Sequence, residues 1–291
     1  MKSDETFHYN MAVIIDFHTH IFSPRIKENR GKYVSADPCF AGLYSDEKAK
    51  LVTAEELIES MDNEEIDISV ILNIGWTTHE LCVETNDYIM EAVSRFPKRL
   101  IGFGSIQPLF PESAMKEMER CLRGGIKGIG EIRPDIQQFS LLDKESESGF
   151  VTFLVDHGLI LLTHASEPVG HQYQGKGSVT PDILYPFITN YPDLKLVCAH
   201  WGGGLPFYAL MPEVKKAMQN VYFDTAASPF LYSPQIYNQV IDLVGPDKIL
   251  FGTDYPLLKQ SRLLGEIDSL GLPDNIMKMI LGDNAKNLLK I

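Results

Sequence analysis

Short apolar runs rich in β-branched residues recur along the chain, and longer stretches with helical periodicity separate them. The runs lack the strict apolar–polar alternation of half-exposed strands, which is typical of parallel strands covered on both faces. Eight runs are present, at residues 13–17, 68–74, 100–106, 126–132, 159–163, 194–199, 221–223 and 248–251. Eight strands, each followed by a helix, predict an α/β fold, a single-domain (β/α)8 TIM barrel.

Helix-start signals lie between these runs. Thr53 and Glu56 have the spacing of a capping box, and Pro111 and Pro181 are typical first residues of helices. The alternative fold is an open, doubly wound sheet, which usually has a glycine-rich phosphate loop after its first strand. The first run here continues into residues 16–20, Asp-Phe-His-Thr-His, with no glycine near, so we favour the barrel.

The chain divides into an N-terminal tail over residues 1–10 and one barrel over residues 11–291. Two connections are long, at residues 21–52 after the first strand and 166–180 after the fifth. Long loops in compact domains often act as lids or binding elements. Both are expected on the strand-to-helix side of the barrel, where barrel active sites are built.

The amino-acid composition argues against several classes of protein. There are 26 Lys and Arg against 39 Asp and Glu, a formal net charge of −13, which argues against a nucleic-acid or anionic-membrane binder. The four cysteines have no metal or disulfide spacing, and residues 1–10 lack the apolar core of a signal peptide. Apolar runs are too short to span a bilayer. We expect a cytoplasmic protein whose partner is a small-molecule substrate.

The strongest chemical signal is His18-Thr19-His20 at the end of the first strand. Alternate residues of a strand point to the same side, so both imidazoles can face one metal ion. His164, His200 and Asp254 directly follow or end the fifth, sixth and eighth strands, on the same rim. Imidazoles and one carboxylate suit Zn²⁺, which we expect as a single ion, while Fe²⁺, Mn²⁺ and Co²⁺ accept similar ligands. Asp16 is a candidate for orienting one of the histidine rings.

These residues resemble the amidohydrolase superfamily. The resemblance rests on Asp16-x-His18-x-His20, His164, His200, residues 252–256 (Gly-Thr-Asp-Tyr-Pro) and the last helix at 280–289. The nearest branch is the amidohydrolase-2 group, which includes aminocarboxymuconate-semialdehyde decarboxylase, γ-resorcylate decarboxylase and related hydrolases. The resemblance implies His18, His20, His164 and Asp254 as metal ligands, with His200 holding or deprotonating the metal-bound water. It is also compatible with a homo-oligomer.

The fourth strand adds two candidates, Glu131 and Arg133. Gly-Ile-Gly-Glu-Ile resembles the metal-dependent deoxyribonuclease branch, in which this glutamate bridges two metals, so Glu131 is a candidate for a second ion or a proton shuttle. The alternative is an ion pair with Arg133. Arg133 is a candidate clamp for a substrate carboxylate or a member of a rim salt bridge. His171, in the loop after the fifth strand, could close over a substrate or remain a solvated loop residue.

We expect a metal-dependent hydrolase that attacks an amide, ester or lactone of a small carboxylated or cyclic substrate, with His200 and Asp254 as proton carriers. The alternative is non-oxidative decarboxylation of an aromatic or unsaturated carboxylic acid, because that reaction uses the same ligands. A metal-dependent phosphoesterase or deoxyribonuclease ranks lower. A non-catalytic ligand-binding barrel would be expected to have a broken ligand set, whereas all four positions are filled here.

Overall fold

The computed structural model of the protein describes residues 13–291, apart from the side chains of residues 144–148. The predicted tail at residues 1–10 lies outside the described residues. Eight parallel strands pair in sequence order in one sheet. The strands are β1 (Ile15–His20), β2 (Ile68–Leu72), β3 (Leu100–Gly104), β4 (Gly128–Ile132), β5 (Ile160–Thr163), β6 (Lys195–Cys198), β7 (Val221–Asp224) and β8 (Ile249–Leu250).

Hydrogen bonds between β1 and the segment that follows β8 nearly close the sheet into a barrel. Phe17 N donates to Phe251 O at 2.7 Å, and His20 N donates to Tyr255 O at 2.7 Å. The predicted (β/α)8 barrel is therefore confirmed. The open doubly wound alternative is excluded, because β1 pairs with β2 and the strand order never reverses.

Helices separate the strands. They are α1 (Pro24–Glu28), α2 (Arg30–Ala36), α3 (Pro38–Tyr44), α4 (Ala54–Asn63), α5 (His79–Arg95), α6 (Pro111–Arg123), α7 (Pro134–Gln137), α8 (Lys144–His157), α9 (Pro181–Asn190), α10 (Ala199–Gly202), α11 (Pro212–Ala217), α12 (Ser228–Leu231), α13 (Ile236–Val244), α14 (Gln260–Ser269), α15 (Asp274–Lys278) and α16 (Asn284–Leu289). Short 3₁₀ turns lie at Leu205–Leu210 and Pro246–Lys248, and a π-helical turn at Met279–Asp283 joins α15 to α16.

The predicted helix starts are found. Thr53 and Glu56 form the capping box of α4, and Pro111 and Pro181 are the first residues of α6 and α9. The connection at 21–52 is more ordered than a long loop, since it contains α1, α2 and α3. Residues 166–180 have no helix or strand. Among residues 13–291, we find no helix with the length and apolar content needed to cross a membrane.

Two apolar layers support the strands. The inner layer contains alternate strand residues, which are at most 2% exposed and include Ile15, Phe17, Val70, Leu72, Ile160 and Leu162. The outer layer joins the strands to the surrounding helices. Helix α16 closes the end at which the strands begin, because Asn284 Nδ2 donates to the carbonyls of Pro246 and Ile249, each at 2.8 Å. The opposite end of the barrel carries the polar cluster described below.

Candidate active site

Ionisable side chains that are buried, or in the case of Asp254 partly buried, converge at the carboxyl ends of the strands. The cluster contains His18, His20, Glu131, His164, His200, Asp224 and Asp254. Two strands that supply these residues are irregular, since the register shifts in β1 between Asp16 and Thr19 and in β4 between Ile129 and Ile132. Such bulges re-aim side chains. They occur where His18 and Glu131 are presented to the cluster.

His18, His20 and Asp254 form the first group of converging ligand atoms. The Nε2 atoms of the two histidines are 3.1 Å apart. Asp254 Oδ1 lies 3.3 Å from His20 Nε2 and 3.7 Å from His18 Nε2. All three atoms lie within 4.8 Å of one another, and two imidazoles with one carboxylate fit a divalent transition metal. These three are among the residues predicted from sequence.

Asp224, at the end of β7, orients the ring of His18. Its Oδ2 lies 2.8 Å from His18 Nδ1, so a proton on Nδ1 leaves Nε2 as the unprotonated atom that faces His20. Its Oδ1 accepts hydrogen bonds from His200 N at 2.8 Å and Ala226 N at 3.1 Å. Asp224 therefore links β1, β6 and β7 beneath the site. Asp224 is not among the candidate residues named from sequence, although its position at a strand end was an available signal.

Asp16 does not take the ring-orienting role suggested for it. Its carboxylate accepts hydrogen bonds from Thr253 Oγ1 at 2.6 Å, from Thr253 N at 3.0 Å and from His18 N at 3.3 Å. Burial raises the pKa of Asp16 to about 7 despite these hydrogen bonds. Asp16 thus ties β1 to the segment that carries Asp254, because Thr253 directly precedes Asp254.

Glu131 belongs to a second group, with His18 and His200, whose ligand atoms also lie within 4.8 Å of one another. Glu131 Oε1 lies 2.8 Å from His164 Nδ1 and 3.5 Å from His200 Nε2. Burial raises the pKa of Glu131, but the hydrogen bonds and charges of His164, His200 and His18 together outweigh burial and hold the pKa well below its usual range. Glu131 therefore pairs with the histidines, and the suggested ion pair with Arg133 is not formed.

His164 lies beside Glu131 and outside both groups of converging atoms. Its Nδ1 contacts Glu131, and its Nε2 lies 3.1 Å from Ser166 Oγ. Burial and then the charge of Arg133 lower the pKa of His164 to about 4, which favours a neutral ring. A neutral ring with a proton on Nδ1 would present Nε2 as an acceptor or ligand atom.

The electrostatic field of the cluster favours positive charge. Burial alone would lower the pKa of His18, but the carboxylates of Asp224, Asp254 and Glu131 together outweigh burial and raise that pKa to about 10. Burial is also outweighed at His200, where the hydrogen bond and charge of Glu131, together with the charge of Asp254, raise the pKa to about 9. At Asp254, burial would raise the pKa, but His20, His18 and His200 together outweigh it and lower the pKa to about 2. A field that favours imidazolium also favours a bound cation, so the residues present fit a divalent metal.

A cavity of about 480 Å³ opens above the cluster. Its polar lining includes His20, Glu131, His164, His200 and Asp254, together with both proposed substrate contacts, Arg133 and His171. Its apolar lining includes Leu43, Tyr44, Ala49, Ala227, Phe230, Leu231, Pro256 and Leu257. Both long connections contribute to the walls, as barrel lids do. Arg133 is only 2% exposed, whereas His171 is exposed on the loop at 166–180.

Comparisons with known proteins agree with this architecture. The model of the amidohydrolase family matches residues 15–291. The 2-amino-3-carboxymuconate-6-semialdehyde decarboxylase of Dictyostelium discoideum is 25% identical and covers 94% of this chain and 91% of its own length. The γ-resorcylate decarboxylase of Polaromonas sp. (strain JS666) is 22% identical, and the matched region covers 73% of this chain and 77% of that enzyme. The solved 5-carboxyvanillate decarboxylase of Novosphingobium aromaticivorans, complexed with manganese and 4-hydroxy-3-methoxy-5-nitrobenzoic acid, superposes with a TM-score of 0.78 at 19% identity, covering 96% of each chain.

Proposed function

The chain belongs to the amidohydrolase family, and from this premise we propose that it is a metal-dependent, non-oxidative decarboxylase of a small aromatic or unsaturated carboxylic acid. The convergence of His18, His20 and Asp254 at the floor of a cavity carries the proposal. Sequence reasoning placed hydrolysis first and kept decarboxylation as the alternative, since the two reactions use the same ligands and the sequence does not separate them. The relatives reported above are named as decarboxylases, which supports the alternative over hydrolysis.

One divalent cation is part of the proposal. His18, His20 and Asp254 would hold it. His164 is the fourth proposed ligand; its Nδ1 contacts Glu131 and its Nε2 lies 3.1 Å from Ser166 Oγ, so one of these two contacts would be replaced when the cation binds. Zn²⁺ suits the imidazole-rich set, and the manganese of the 5-carboxyvanillate decarboxylase structure makes Mn²⁺ the second candidate. When bound, the cation would polarise substrate oxygens as a Lewis acid and fix the orientation of the substrate.

Decarboxylation requires a proton at the carbon that loses its carboxylate. The bond between this carbon and the carboxylate then breaks, CO₂ leaves, and a new carbon–hydrogen bond replaces the broken carbon–carbon bond. His200 is the proposed proton carrier, because its Nδ1 lies 3.1 Å from the carbonyl of Ala226 and donates to it, which leaves Nε2 on the side of Glu131 and the cavity. Glu131, at 3.5 Å, would relay protons to His200. Asp254 would serve as both ligand and proton carrier.

The cavity sets the size of the substrate. A volume of about 480 Å³ lies within the range of small-molecule sites, and its mostly apolar wall suits a planar ring or a conjugated chain. Arg133 and His171 are the proposed substrate contacts, one buried at the wall and one on the loop at 166–180.

We also propose that the protein is cytoplasmic. All four cysteines lie within residues 13–291, and each is buried and free. Buried thiols without disulfides are typical of proteins from a reducing compartment.

The test is product analysis on metal-loaded protein with a panel of hydroxybenzoic and conjugated acids. Release of CO₂ with retention of the remaining carbon skeleton is expected. Incorporation of ¹⁸O from water into an acyl product, without CO₂, would instead establish hydrolysis. Turnover of p-nitrophenyl phosphate esters without CO₂ release would establish the phosphoesterase alternative.

A further inference from the structure

We infer that Asn73 is a positioning residue for Glu131, because its backbone and its buried amide hold β4 where the Glu131 carboxylate contacts two histidines of the cluster. The inference rests on the proposed function, in which Glu131 relays protons to His200. It is carried by two backbone hydrogen bonds, by a chain of buried amides and by the close approach of the same segment to the end of β4.

Asn73 joins the segment after β2 directly to β4. In the sheet β3 lies between these two strands, but it ends at Gly104, which pairs with Ile129. Beyond that point Asn73 takes the place of β3. Its N–H donates to Gly130 O at 3.0 Å, and its carbonyl accepts from Glu131 N at 2.8 Å. Both backbone hydrogen-bonding groups of Asn73 are therefore paired with the peptide group that joins Gly130 to Glu131.

The side chain of Asn73 is fixed as well. It is buried, its Nδ2 donates to Asn86 Oδ1 at 2.9 Å, and its Oδ1 accepts from Trp76 Nε1 at 3.1 Å. A displacement of Asn73 would break these hydrogen bonds and leave the buried indole N–H of Trp76 without this acceptor. Because an unpaired polar group is costly in the interior, the amide resists movement of the backbone to which it is attached.

Asn86, on α5, anchors the amide of Asn73 to the surrounding helices. Its Oδ1 also accepts from Ser105 N at 2.7 Å, and its Nδ2 donates to Ser105 O at 2.8 Å and to Glu117 Oε1 at 2.6 Å. Reversing this amide would place its oxygen against the Glu117 carboxylate, so its orientation is determined. Glu117 is held by Arg120, whose Nε and Nη2 donate to its two oxygens at 2.8 and 2.7 Å. A paired network of this kind makes the residues that it joins rigid.

The same segment packs against the end of β4, two residues after Glu131. A Cβ at Gly75 would lie 2.6 Å from Arg133 Cβ, so the absence of a side chain there lets the two segments approach closely. On the side of β5, a Cβ at Gly130 would lie 2.6 Å from Leu162 O. Glu131 therefore lies between two tight contacts of its own strand, and its backbone has little room to move.

The position of this backbone determines what the Glu131 carboxylate contacts. Its Oε1 lies 2.8 Å from His164 Nδ1 and 3.5 Å from His200 Nε2. A displacement of about 1 Å that originates away from the reacting atoms can lower a rate about 100-fold. Asn73 is outside the set of described residues that line the cavity, so its effect on the reaction passes through Glu131.

The first test reads the histidine rings and does not require turnover. The protein is labelled with ¹⁵N-histidine and reconstituted with zinc, and the ring ¹⁵N signals of His164 and His200 are assigned with His164→Ala and His200→Asn. Asn73→Ala should move the signals of both rings in the same direction as Glu131→Gln does, because in each variant the Glu131 carboxylate is lost to the two rings. A purely structural role for Asn73 would leave these signals in place.

The second test measures initial rates of CO₂ release. Asn73→Ala should lower kcat about tenfold or more and change KM less than about threefold, since the substitution disturbs the relay and leaves substrate binding intact. In the Glu131→Gln background the same substitution should lower kcat by less than about twofold, because the group through which Asn73 acts is already removed.

Thr85→Ala is the matched control. Thr85 is a buried polar residue next to Asn86, and its Oγ1 donates to the carbonyls of Leu81 and Cys82 within α5. This variant should keep the histidine signals and kcat of the unmodified protein. Asn73→Ser is made beside Asn73→Ala, so that the test does not depend on the folding of one variant, and the same results are expected of it.

Two results would overturn the inference. One is an Asn73 variant, confirmed folded by its melting temperature and zinc content, that keeps the histidine signals of the unmodified protein. The other is an equal loss of kcat from Asn73→Ala in the unmodified protein and in the Glu131→Gln background.

The inference and the proposed function fail in different ways. Histidine signals that move in Asn73→Ala as they do in Glu131→Gln, in a protein that releases no CO₂, would sustain the positioning of Glu131 and reject decarboxylation. Release of CO₂ with histidine signals and kcat unchanged in Asn73→Ala would sustain decarboxylation and reject the inference.

Discussion

The Oδ2 atom of Asp224 lies 2.8 Å from Nδ1 of His18, although the two residues are 206 positions apart in sequence. The contact joins the last residue of β7 to the first histidine of β1 across the floor of the cavity. It fixes which ring nitrogen of His18 faces His20 and Asp254. A carboxylate in this position generally increases the basicity of a metal-binding histidine and holds its ring in orientation.

Asp224→Asn should therefore weaken metal binding. Loss of a carboxylate partner to a ligating histidine typically costs about 10–100-fold in metal affinity. The measurement is competition against a chelator of known affinity, with Asp193→Asn as the control because Asp193 is exposed. An affinity equal to that of the control would show that His18 is not a ligand or does not need this partner.

His200→Asn should separate proton transfer from metal binding. Because His200 is the proposed proton carrier, the variant should keep its metal while kcat for CO₂ release falls about 100-fold or more. Metal analysis and initial rates are measured on the same preparation. Loss of metal from His200→Asn would instead assign His200 to the ligand set.

Glu131→Gln tests whether the second group of ligand atoms holds an ion. The substitution keeps the shape of the side chain but removes its charge. If Glu131 is a relay, metal content should stay at about one equivalent and kcat should fall about 100-fold. Two equivalents in the unmodified protein and one in the variant would place Glu131 at a second ion.

Thr53→Ala should destabilise the fold without affecting the site. Thr53 Oγ1 accepts from Glu56 N, and Glu56 Oε2 accepts from Thr53 N at 2.8 Å, so both ends of the capping box are formed. Loss of such a cap costs about 1 kcal/mol. Thr180→Ala is the matched control, since Thr180 precedes α9 without a side-chain cap bond. The free energy of unfolding of both variants is measured by urea denaturation. Equal decreases in the two variants would mean that the capping box does not stabilise the protein.

Much of the fold was accessible from sequence because the parallel strands are buried runs with regular spacing. The histidines and Asp254 were found for the same reason, since parallel strands bring their carboxyl ends to one rim. The strand-end position of Asp224 was visible in the sequence, but its contact with His18 was not, because that contact depends on which ring atom of His18 faces β7. The orientation of Glu131 depends on the register shift in β4, which strand periodicity does not reveal. The packing of Gly75 against Arg133 is likewise set by the folded backbone.

Metal content of the purified, reconstituted protein tests the central claim most directly, measured beside Asp254→Asn and His164→Ala. We predict about one equivalent of a divalent transition metal in the unmodified protein and much less in both variants, because each would remove a ligand. A reconstituted protein that binds no metal, or variants that retain the full amount, would contradict a metal centre built on these residues.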